Sequence, residues 1–383
     1  MWTDAIEKPT LILDPTKCKA NIQRMASRAQ RNGVKFRPHC KTHQAAEILE
    51  WFRSAAVDAI TVSSVEMAVY FAAHGWKDIT IAFTVNPRQI KAINSLLASH
   101  AGVKLGLLVE SMETVQMLQE QLQHFVHIWI DIDTGYHRTG IDWEETEEII
   151  ALANAVAASP QTMKVSGLLG HAGHTYSARS LQQVQSIHNE TVQRMNKIRD
   201  LLVANGMTGL SISIGDTPSC SMVEDFGGKI DEIRPGNFVF YDVMQANIGA
   251  NRLSDIAVAV ACPVVAKQAR LQQIVVFGGA VHLSKDRIVE EPHQRTIFGY
   301  LAKATETGWD TIRDSCYVKG LSQEHGLIHA DNELLESVKI GDILLILPVH
   351  SCLTANLLKK YHVLNGGGSI SMAPIPSTGD SSP

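Results

Sequence analysis

The sequence predicts a (β/α)8 barrel followed by a second domain that is rich in β-strands. Two observations carry this prediction. Between residues 34 and 238, short apolar runs alternate with helical patterns, whereas after Asn251 the strand-like runs follow one another with few helices between them. Strands that alternate with helices pair in parallel through right-handed crossovers, and eight such units in about two hundred residues fit a closed barrel.

We therefore expect three regions. Residues 14–250 form the barrel, residues 1–13 and 251–365 together form the β-rich domain, and residues 366–383 form a disordered tail. The tail is rich in Gly, Ser and Pro, which is a composition that cannot bury a core.

Eight apolar runs are the predicted barrel strands: Val34–Phe36, Ala59–Val62, Ile79–Phe83, Leu105–Val109, Val126–Ile132, Val165–Leu169, Leu210–Ile214 and Glu232–Phe238. The last run is the weakest because Pro235 and Gly236 interrupt it. Helical patterns such as Glu145–Ala158 and Leu181–Asn205 lie between the strands. A doubly wound open sheet is the competing fold, but no strand is followed by the Gly-x-Gly-x-x-Gly pattern that is typical of its dinucleotide-binding form.

The second domain contains four predicted strands: Ile256–Val265, Gln273–Val276, Asp314–Val318 and Ile343–Leu347. The early run Thr10–Leu13 precedes the first barrel helix, and we expect it to pair with this domain.

Composition narrows the class of protein. The chain has 383 residues, of which 45% are hydrophobic and 19% charged, with a net charge of −5, as in a globular protein with ample core material. The sequence has no basic stripe, so we do not expect it to bind nucleic acid. We also expect neither a signal peptide nor a membrane span. The six cysteines show no paired spacing, so we expect reduced thiols in the cytoplasm.

Lys41 is the first candidate for chemistry. In barrels, catalytic groups gather at the carboxyl ends of strands, and Lys41 follows the first predicted strand. Burial there would lower the pKa of its amine and make it a nucleophile suited to a Schiff base with pyridoxal phosphate. The alternative is an ordinary lysine that extends into solvent.

Loops after four other strands add polar groups to the same predicted rim. The turns after the seventh and eighth strands lie where barrels commonly hold a phosphate. We predict His174 and Tyr176 as catalytic residues beside Lys41, whereas the alternative is that these loops are structural turns. The rim residues of interest are Arg138, His171, His174, Tyr176, Thr217, Gly236 and Asn237.

His350 and Cys352 end the apolar run Leu344–Pro348 as a His-x-Cys pair. On an extended segment, residues i and i+2 point to the same face, so an imidazole and a thiolate there could chelate one soft divalent ion, most naturally zinc. Two protein ligands leave coordination positions for water or substrate, which is typical of a catalytic metal. The alternative is a His and a buried Cys in the core without metal.

Taken together, the motifs resemble the metal-activated fold-type III pyridoxal-phosphate enzymes, the group of eukaryotic-type D-serine dehydratase and D-threonine aldolase. The resemblance extends from Pro9 to about Leu364. It is carried by five motifs: Arg37–His43, Gly170–Tyr176, Arg234–Asn237, Ser322–Gly326 and Pro348–Cys352.

The resemblance implies roles for the candidate residues. Lys41 would be the Schiff-base lysine, and Arg138 would face the pyridine nitrogen of the cofactor. His350 and Cys352 would bind the metal, with Zn²⁺ expected and Mn²⁺ as the alternative. The residues that would surround the cofactor, chiefly at its phosphate end, are Tyr176, Thr217, Gly236 and Asn237.

The resemblance also implies a lyase that acts on a small D-3-hydroxy amino acid. A His-x-Cys pair is typical of the dehydratases, which favours conversion of D-serine to pyruvate and ammonia, or the same reaction on 3-hydroxyaspartate. Aldol cleavage of D-threonine is the alternative, and a racemase, which needs a second base and no metal, is less favoured.

Three further expectations complete the sequence analysis. Members of the group are usually homodimers. Leu169 stands where the group often has a tyrosine, so the sequence does not determine the shape of the substrate. The roles of His39, His43, His171 and His325 as acid, base or scaffold are also open.

Overall fold

The computed structural model describes residues 1–291, 294–311 and 315–373. These residues divide into two compact units. The β-rich unit comprises Met1–Gln23 and Asn237–Met372, and the barrel unit comprises Arg24–Gly236 together with Ala373. In the part of the chain that is described, no helix combines the length and apolar character that a membrane crossing requires.

The α-helices, in chain order, are α1 Pro15–Arg31, α2 Ala46–Arg53, α3 Val65–Ala73, α4 Ile90–Ser99, α5 Met112–Gln121, α6 Thr146–Ala157, α7 Leu181–Ala204, α8 Thr217–Met222, α9 Val243–Ile248, α10 Ala280–Leu283, α11 Asn332–Ser337 and α12 Ser351–Leu358. Serine side chains fix the start of three barrel helices. Ser64, Ser111 and Ser180 each accept a backbone N–H of the first turn of α3, α5 and α7 respectively.

The strands are β1 Thr10–Leu13, β2 Lys35–Phe36, β3 Ala59–Val62, β4 Asp78–Thr84, β5 Lys104–Val109, β6 Val126–Asp133, β7 Ile141–Asp142, β8 Met163–Gly170, β9 Ser211–Ile214, β10 Glu232–Ile233, β11 Val258–Gln268, β12 Gln273–Phe277, β13 Ile288–Glu290, β14 Arg295–Ile297, β15 Gly299–Ala304, β16 Trp309–Thr311, β17 Tyr317–Leu321, β18 His325–His329, β19 Ile343–Pro348, β20 Lys360–Val363 and β21 Ser369–Ser371.

The barrel unit confirms the predicted (β/α)8 fold. Its parallel strands follow the order β2-β10-β9-β8-β6-β5-β4-β3, and a bridge between His39 and Thr61 closes the circle between β2 and β3. Of the predicted run Glu232–Phe238, only Glu232–Ile233 forms a strand, because β10 ends just before Arg234-Pro235-Gly236. The apolar side chains of Ile60, Ile79 and Leu105, which pair across β3, β4 and β5, are completely buried.

Ion pairs lie at the end of the barrel where the strands begin, opposite the rim that carries the predicted catalytic residues. Arg37 is only 3% exposed, and its Nε donates to Glu232 Oε2 at 2.5 Å while Nη1 donates to Asp78 Oδ1 at 2.7 Å. Burial raises the pKa of Asp78, but the hydrogen bond and charge of Arg37, with the charge of Lys35, outweigh it and lower that pKa to about 2. The buried guanidinium is therefore neutralised by two carboxylates.

The β-rich unit is built on a sheet in the order β12-β18-β17-β15-β19-β11-β1-β20-β21. β1 pairs antiparallel with β11, where Thr10 faces Ala261, and parallel with β20. This confirms that the early run belongs with the later strands. One prediction is wrong: the tail is not disordered from residue 366, because Ser369–Ser371 form β21 on β20. Residues 374–383 of the predicted tail and Asp314 of a predicted strand lie outside the described residues.

Candidate active site

The segment that carries Lys41 is tied down on both sides at the rim of the barrel. The His39 N–H donates to Pro235 O at 2.9 Å, on the segment that follows β10. The Cys40 N–H donates to Thr61 O at 2.8 Å, in β3. These bonds continue the parallel ladder beyond β2, so the turn with Lys41 is anchored by the backbone of its two neighbours.

The side chain of Lys41 itself is exposed, and the predicted burial of its amine is wrong. The reason is geometric. β2 ends at Phe36, and the bridge of His39 to Thr61 is the last ladder contact before the turn at residues 40–43 that carries Lys41. The lysine therefore lies on the rim, where a small molecule can reach it.

Two imidazoles, those of the buried His39 and the half-buried His171, share the electrostatic environment of Lys41. Burial, followed by the positive charge of Lys41, holds the pKa of His39 well below its usual range. Burial and the charge of Arg138 lower the pKa of His171 to about 3. His171 Nδ1 lies 2.8 Å from Gly215 O; because a carbonyl only accepts, Nδ1 carries the hydrogen and Nε2 keeps its lone pair.

Arg138 is exposed and is supported by an aromatic ring that sequence reasoning missed. Its guanidinium carbon lies 5.3 Å from the centroid of the Tyr136 ring, which also stacks on His174 at 6.1 Å. The Tyr136 ring packs so closely on Gly173 that a Cβ atom there would overlap with it. His174 Nδ1 is buried without a partner among the described residues, and burial lowers the pKa of this imidazole. Tyr176 lies 6.4 Å from His171, ring centroid to centroid.

The start of α8 provides the donors expected at a phosphate site. Asp216 caps this short helix by accepting the Ser219 N–H at 2.7 Å and the Thr175 hydroxyl at 2.8 Å. The next residue, Thr217, is completely buried, and its Oγ1 has no hydrogen-bond partner among the described residues. A buried hydroxyl without a partner is costly unless a ligand satisfies it. Gly236 leaves a bare backbone near this rim, since a Cβ atom there would lie 3.0 Å from His39 O.

These features fit pyridoxal phosphate in the barrel unit. An amine on the rim, a buried hydroxyl that lacks an acceptor and a glycine that allows close approach are the groups that an aldehyde with a phosphate arm requires.

The His350–Cys352 pair lies in the β-rich unit, but not on an extended segment. β19 ends at Pro348, His350 immediately precedes α12, and Cys352 belongs to the first turn of that helix. The predicted strand geometry for the pair is therefore wrong, because the helix begins directly after the strand. The two side chains nevertheless hydrogen-bond to each other.

Acidic groups surround His350. Its Nδ1 lies 2.6 Å from Asp286 Oδ2. Burial lowers the pKa of His350, but the hydrogen bonds to Asp286 and Cys352 dominate and raise it to about 11. An imidazole and a thiol that lie together beside the Asp286 carboxylate are the donor types that fit a divalent cation of the zinc type. Asp286 was not predicted, because it is 64 residues from its partner and no motif marks it.

Asn237, a predicted cofactor residue, lies beside the predicted metal ligands. Its Nδ2 donates to Asp242 Oδ2 at 2.6 Å and Ser351 Oγ at 3.1 Å, and lies 3.5 Å from Cys352 Sγ. The structure thus brings Asn237 and Cys352 together within the β-rich unit. It brings Lys41, Arg138 and His171 together within the barrel unit.

A separate group in the barrel unit also has metal-compatible spacing. The ligand atoms of Asp133, His137 and Asp142 lie within 4.8 Å of one another. Asp133 already accepts the backbone N–H groups of Gly135, Tyr136 and His137, so its carboxylate is explained by the turn that it organises.

Comparison with known proteins assigns both parts of the chain. Residues 13–243 match the family described as alanine racemase, N-terminal domain, and residues 257–364 match the serine dehydratase domain. Among curated proteins, D-threo-3-hydroxyaspartate dehydratase of Delftia sp. is 29% identical over 95% of this chain and 96% of its own length. D-serine dehydratase of Dictyostelium discoideum is 26% identical, with 95% of each chain covered.

Solved structures agree with these matches. The Delftia D-threo-3-hydroxyaspartate dehydratase superposes with a TM-score of 0.89 and 27% identity, covering 97% of this chain and 98% of that chain. A cysteine-to-alanine mutant of the same enzyme, solved in the metal-free form, gives a TM-score of 0.88 with the same coverage. Because a family model covers more than half of the sequence, the chain belongs to the alanine racemase N-terminal domain family and is, with its serine dehydratase domain, a fold-type III pyridoxal-phosphate enzyme.

Proposed function

We propose that this enzyme is a metal-dependent lyase that removes water from a D-3-hydroxy amino acid, with D-serine as the substrate and D-threo-3-hydroxyaspartate as the next to test. The observation that carries the proposal is the hydrogen-bonded pair of His350 and Cys352 beside Asp286, since a racemase does not need a metal site. The two dehydratases to which the chain is similar support the reaction class.

Bound pyridoxal phosphate would supply an electron sink that makes the Cα proton of an attached amino acid acidic. We assign Lys41 Nζ to hold the cofactor and then to take that proton. Thr217, whose hydroxyl has no partner within the described part of the chain, would donate it to the phosphate, with Tyr176 and Gly236 beside it. Arg138 would face the ring nitrogen, held by the ring of Tyr136.

A bound divalent metal would supply Lewis acidity that makes the β-hydroxyl a better leaving group. We assign His350 and Cys352 as its protein ligands. His174, whose pKa is lowered by burial and whose Nδ1 meets no partner in the residues that the structure describes, and Tyr176 are the proposed proton-transfer groups. Loss of water from the substrate would leave an enamine, and its hydrolysis would give a 2-oxo acid and ammonia.

The test is release of pyruvate from D-serine by purified protein, with the visible spectrum recorded. We expect a yellow protein that loses activity in a chelator and regains it with zinc. Cys352→Ala should abolish the metal dependence together with the activity, whereas Cys316→Ala, which changes another thiol of the β-rich unit, should not. A yellow protein without pyruvate release would redirect the search to D-threo-3-hydroxyaspartate and to aldol cleavage of D-threonine, and full activity in the chelator would favour a racemase.

We further propose zinc as the metal and a homodimer as the assembly, both supported by resemblance to the group. Elemental analysis of the purified protein and light scattering test them; Mn²⁺ in place of zinc, or a monomeric mass, would contradict the respective proposal.

A further inference from the structure

Asp286 fixes the protonation of one proposed metal ligand. Its Oδ2 lies 2.6 Å from His350 Nδ1. An ionised carboxylate can only accept, so Nδ1 carries the hydrogen and Nε2 is the nitrogen left for a cation. Metal-binding histidines are commonly held in this way by a carboxylate, which sets both the tautomer and the direction of the ring.

Asn237 has the corresponding orienting role for Cys352, the other proposed metal ligand. Its Nδ2 lies 3.5 Å from Cys352 Sγ, within hydrogen-bonding distance for sulfur. The amide cannot be turned around, because one hydrogen of the same Nδ2 goes to Asp242 Oδ2 at 2.6 Å; the other is shared between Ser351 Oγ at 3.1 Å and Cys352 Sγ. A donor at this position stabilises a thiolate and restrains its direction.

The carboxylate of Asp242 holds Asn237 and the start of α12 in place through hydrogen bonds. Asp242 is 1% exposed and accepts the Gln245 N–H at 2.9 Å and the Ser351 N–H at 3.0 Å, in addition to the amide of Asn237. The Ser351 contact holds the start of α12, which carries Cys352. The carboxylate thus links the orientation of Asn237 to the position of the helix.

We propose that Asp286 and Asn237 are positioning residues for the metal ligands: Asp286 orients His350 and Asn237 orients the Cys352 sulfur, so that together they set the affinity for a divalent cation. This inference rests on the proposed function, since it takes His350 and Cys352 as ligands. Neither residue is required to touch the metal.

The experiment measures zinc affinity in the full-length, cofactor-loaded enzyme by competition with a chromophoric chelator. Removing the acceptor in Asp286→Ala should weaken binding about 10–100-fold, and Asp286→Asn, which keeps a neutral acceptor, should recover part of the loss. Asp342→Ala is the control, because Asp342 lies just before β19 and its carboxylate accepts the Lys339 N–H at 2.8 Å. We expect no change in its zinc affinity.

The absorption spectrum of the Co²⁺-loaded enzyme tests the role of Asn237 independently of catalytic activity. In the Co²⁺-loaded enzyme, Asn237→Ala should shift the thiolate-to-cobalt charge-transfer band and weaken Co²⁺ binding, whereas Asp286→Ala should leave that band in place. Melting temperatures of the metal-free variants identify any loss of folding, in which case Asn237→Ser, with a shorter polar side chain, takes the place of Asn237→Ala.

The outcomes separate the two proposals. If the unaltered enzyme binds no zinc, or if His350→Ala and Cys352→Ala leave binding intact, the proposed metal site fails. If zinc binds at His350 and Cys352 but the folded Asp286 and Asn237 variants bind it as tightly as the unaltered enzyme does, the positioning roles are overturned and the metal site stands.

Discussion

Replacing Gly236 by alanine tests whether close backbone contact at the barrel rim positions Lys41. Gly236 is not in the left-handed region, so alanine costs it nothing in backbone conformation. The added Cβ would instead lie 3.0 Å from His39 O, 3.1 Å from His39 Cβ and 3.3 Å from Thr42 Oγ1. These atoms belong to the segment on either side of Lys41.

The size of the effect follows from these distances. Ordinary contacts begin near 3.4 Å, so the segment must retreat by about 0.4 Å in an environment that is packed like a crystal. Overpacking of this kind costs about 1–3 kcal/mol, which lowers the melting temperature of a unit of this size by roughly 2–12 °C. If about 1.4 kcal/mol of this strain opposes the cofactor-bound geometry, the dissociation constant for pyridoxal phosphate rises about tenfold.

Two measurements on Gly236→Ala check this reasoning: the melting curve and a titration with pyridoxal phosphate followed by absorbance. Gly320→Ala is the matched control, because its Cβ would meet Leu327 at 3.7 Å, an ordinary contact. A Gly236→Ala enzyme that melts and binds the cofactor like the unaltered protein would refute the idea that this contact positions the lysine segment.

Three further predictions concern the barrel unit. Thr217→Val should leave the cofactor-free protein as stable as before or slightly more so, because it removes a buried hydroxyl that has no partner among the described residues. The same substitution should weaken pyridoxal phosphate binding about tenfold or more in a spectroscopic titration. Gly173→Ala should displace the ring of Tyr136, destabilise the protein by about 1–3 kcal/mol and alter the near-ultraviolet dichroism; an unchanged spectrum would mean that the ring contact is not tight. Asp78→Asn should cost about 1–2 kcal/mol of unfolding free energy at pH 7, after a discount for the screening of its partly exposed carboxylate. Because the folded protein lowers the pKa of Asp78 from 3.8 to about 2, its stabilisation is complete above pH 3.8 and is lost as the pH falls through 2, so urea unfolding should show a smaller difference at pH 3 than at pH 5.

The sequence by itself determined the architecture of the barrel and the rim on which the candidate residues lie. Alternating apolar runs and helical patterns encode which faces are buried, and this information is local. Lys41, Arg138, His171 and Thr217 could therefore be assigned to one end of the barrel before any contact was known, since each follows the carboxyl end of a strand.

Only the tertiary structure decided what surrounds those residues. The exposure of Lys41 depends on how soon the chain leaves the barrel after β2, and the approach of Asp286 to His350 depends on packing between segments 64 residues apart. Periodicity does not record such pairings, because it reports the side that a residue faces and not the partner that it meets there. The start of α12 directly after β19 likewise overrode the strand geometry that His-x-Cys suggested, because the helix turns the chain at Ser351. The contacts of Asp286 and Asn237 with the His350–Cys352 pair therefore depend on tertiary packing, whereas the barrel that carries Lys41 follows from local pattern.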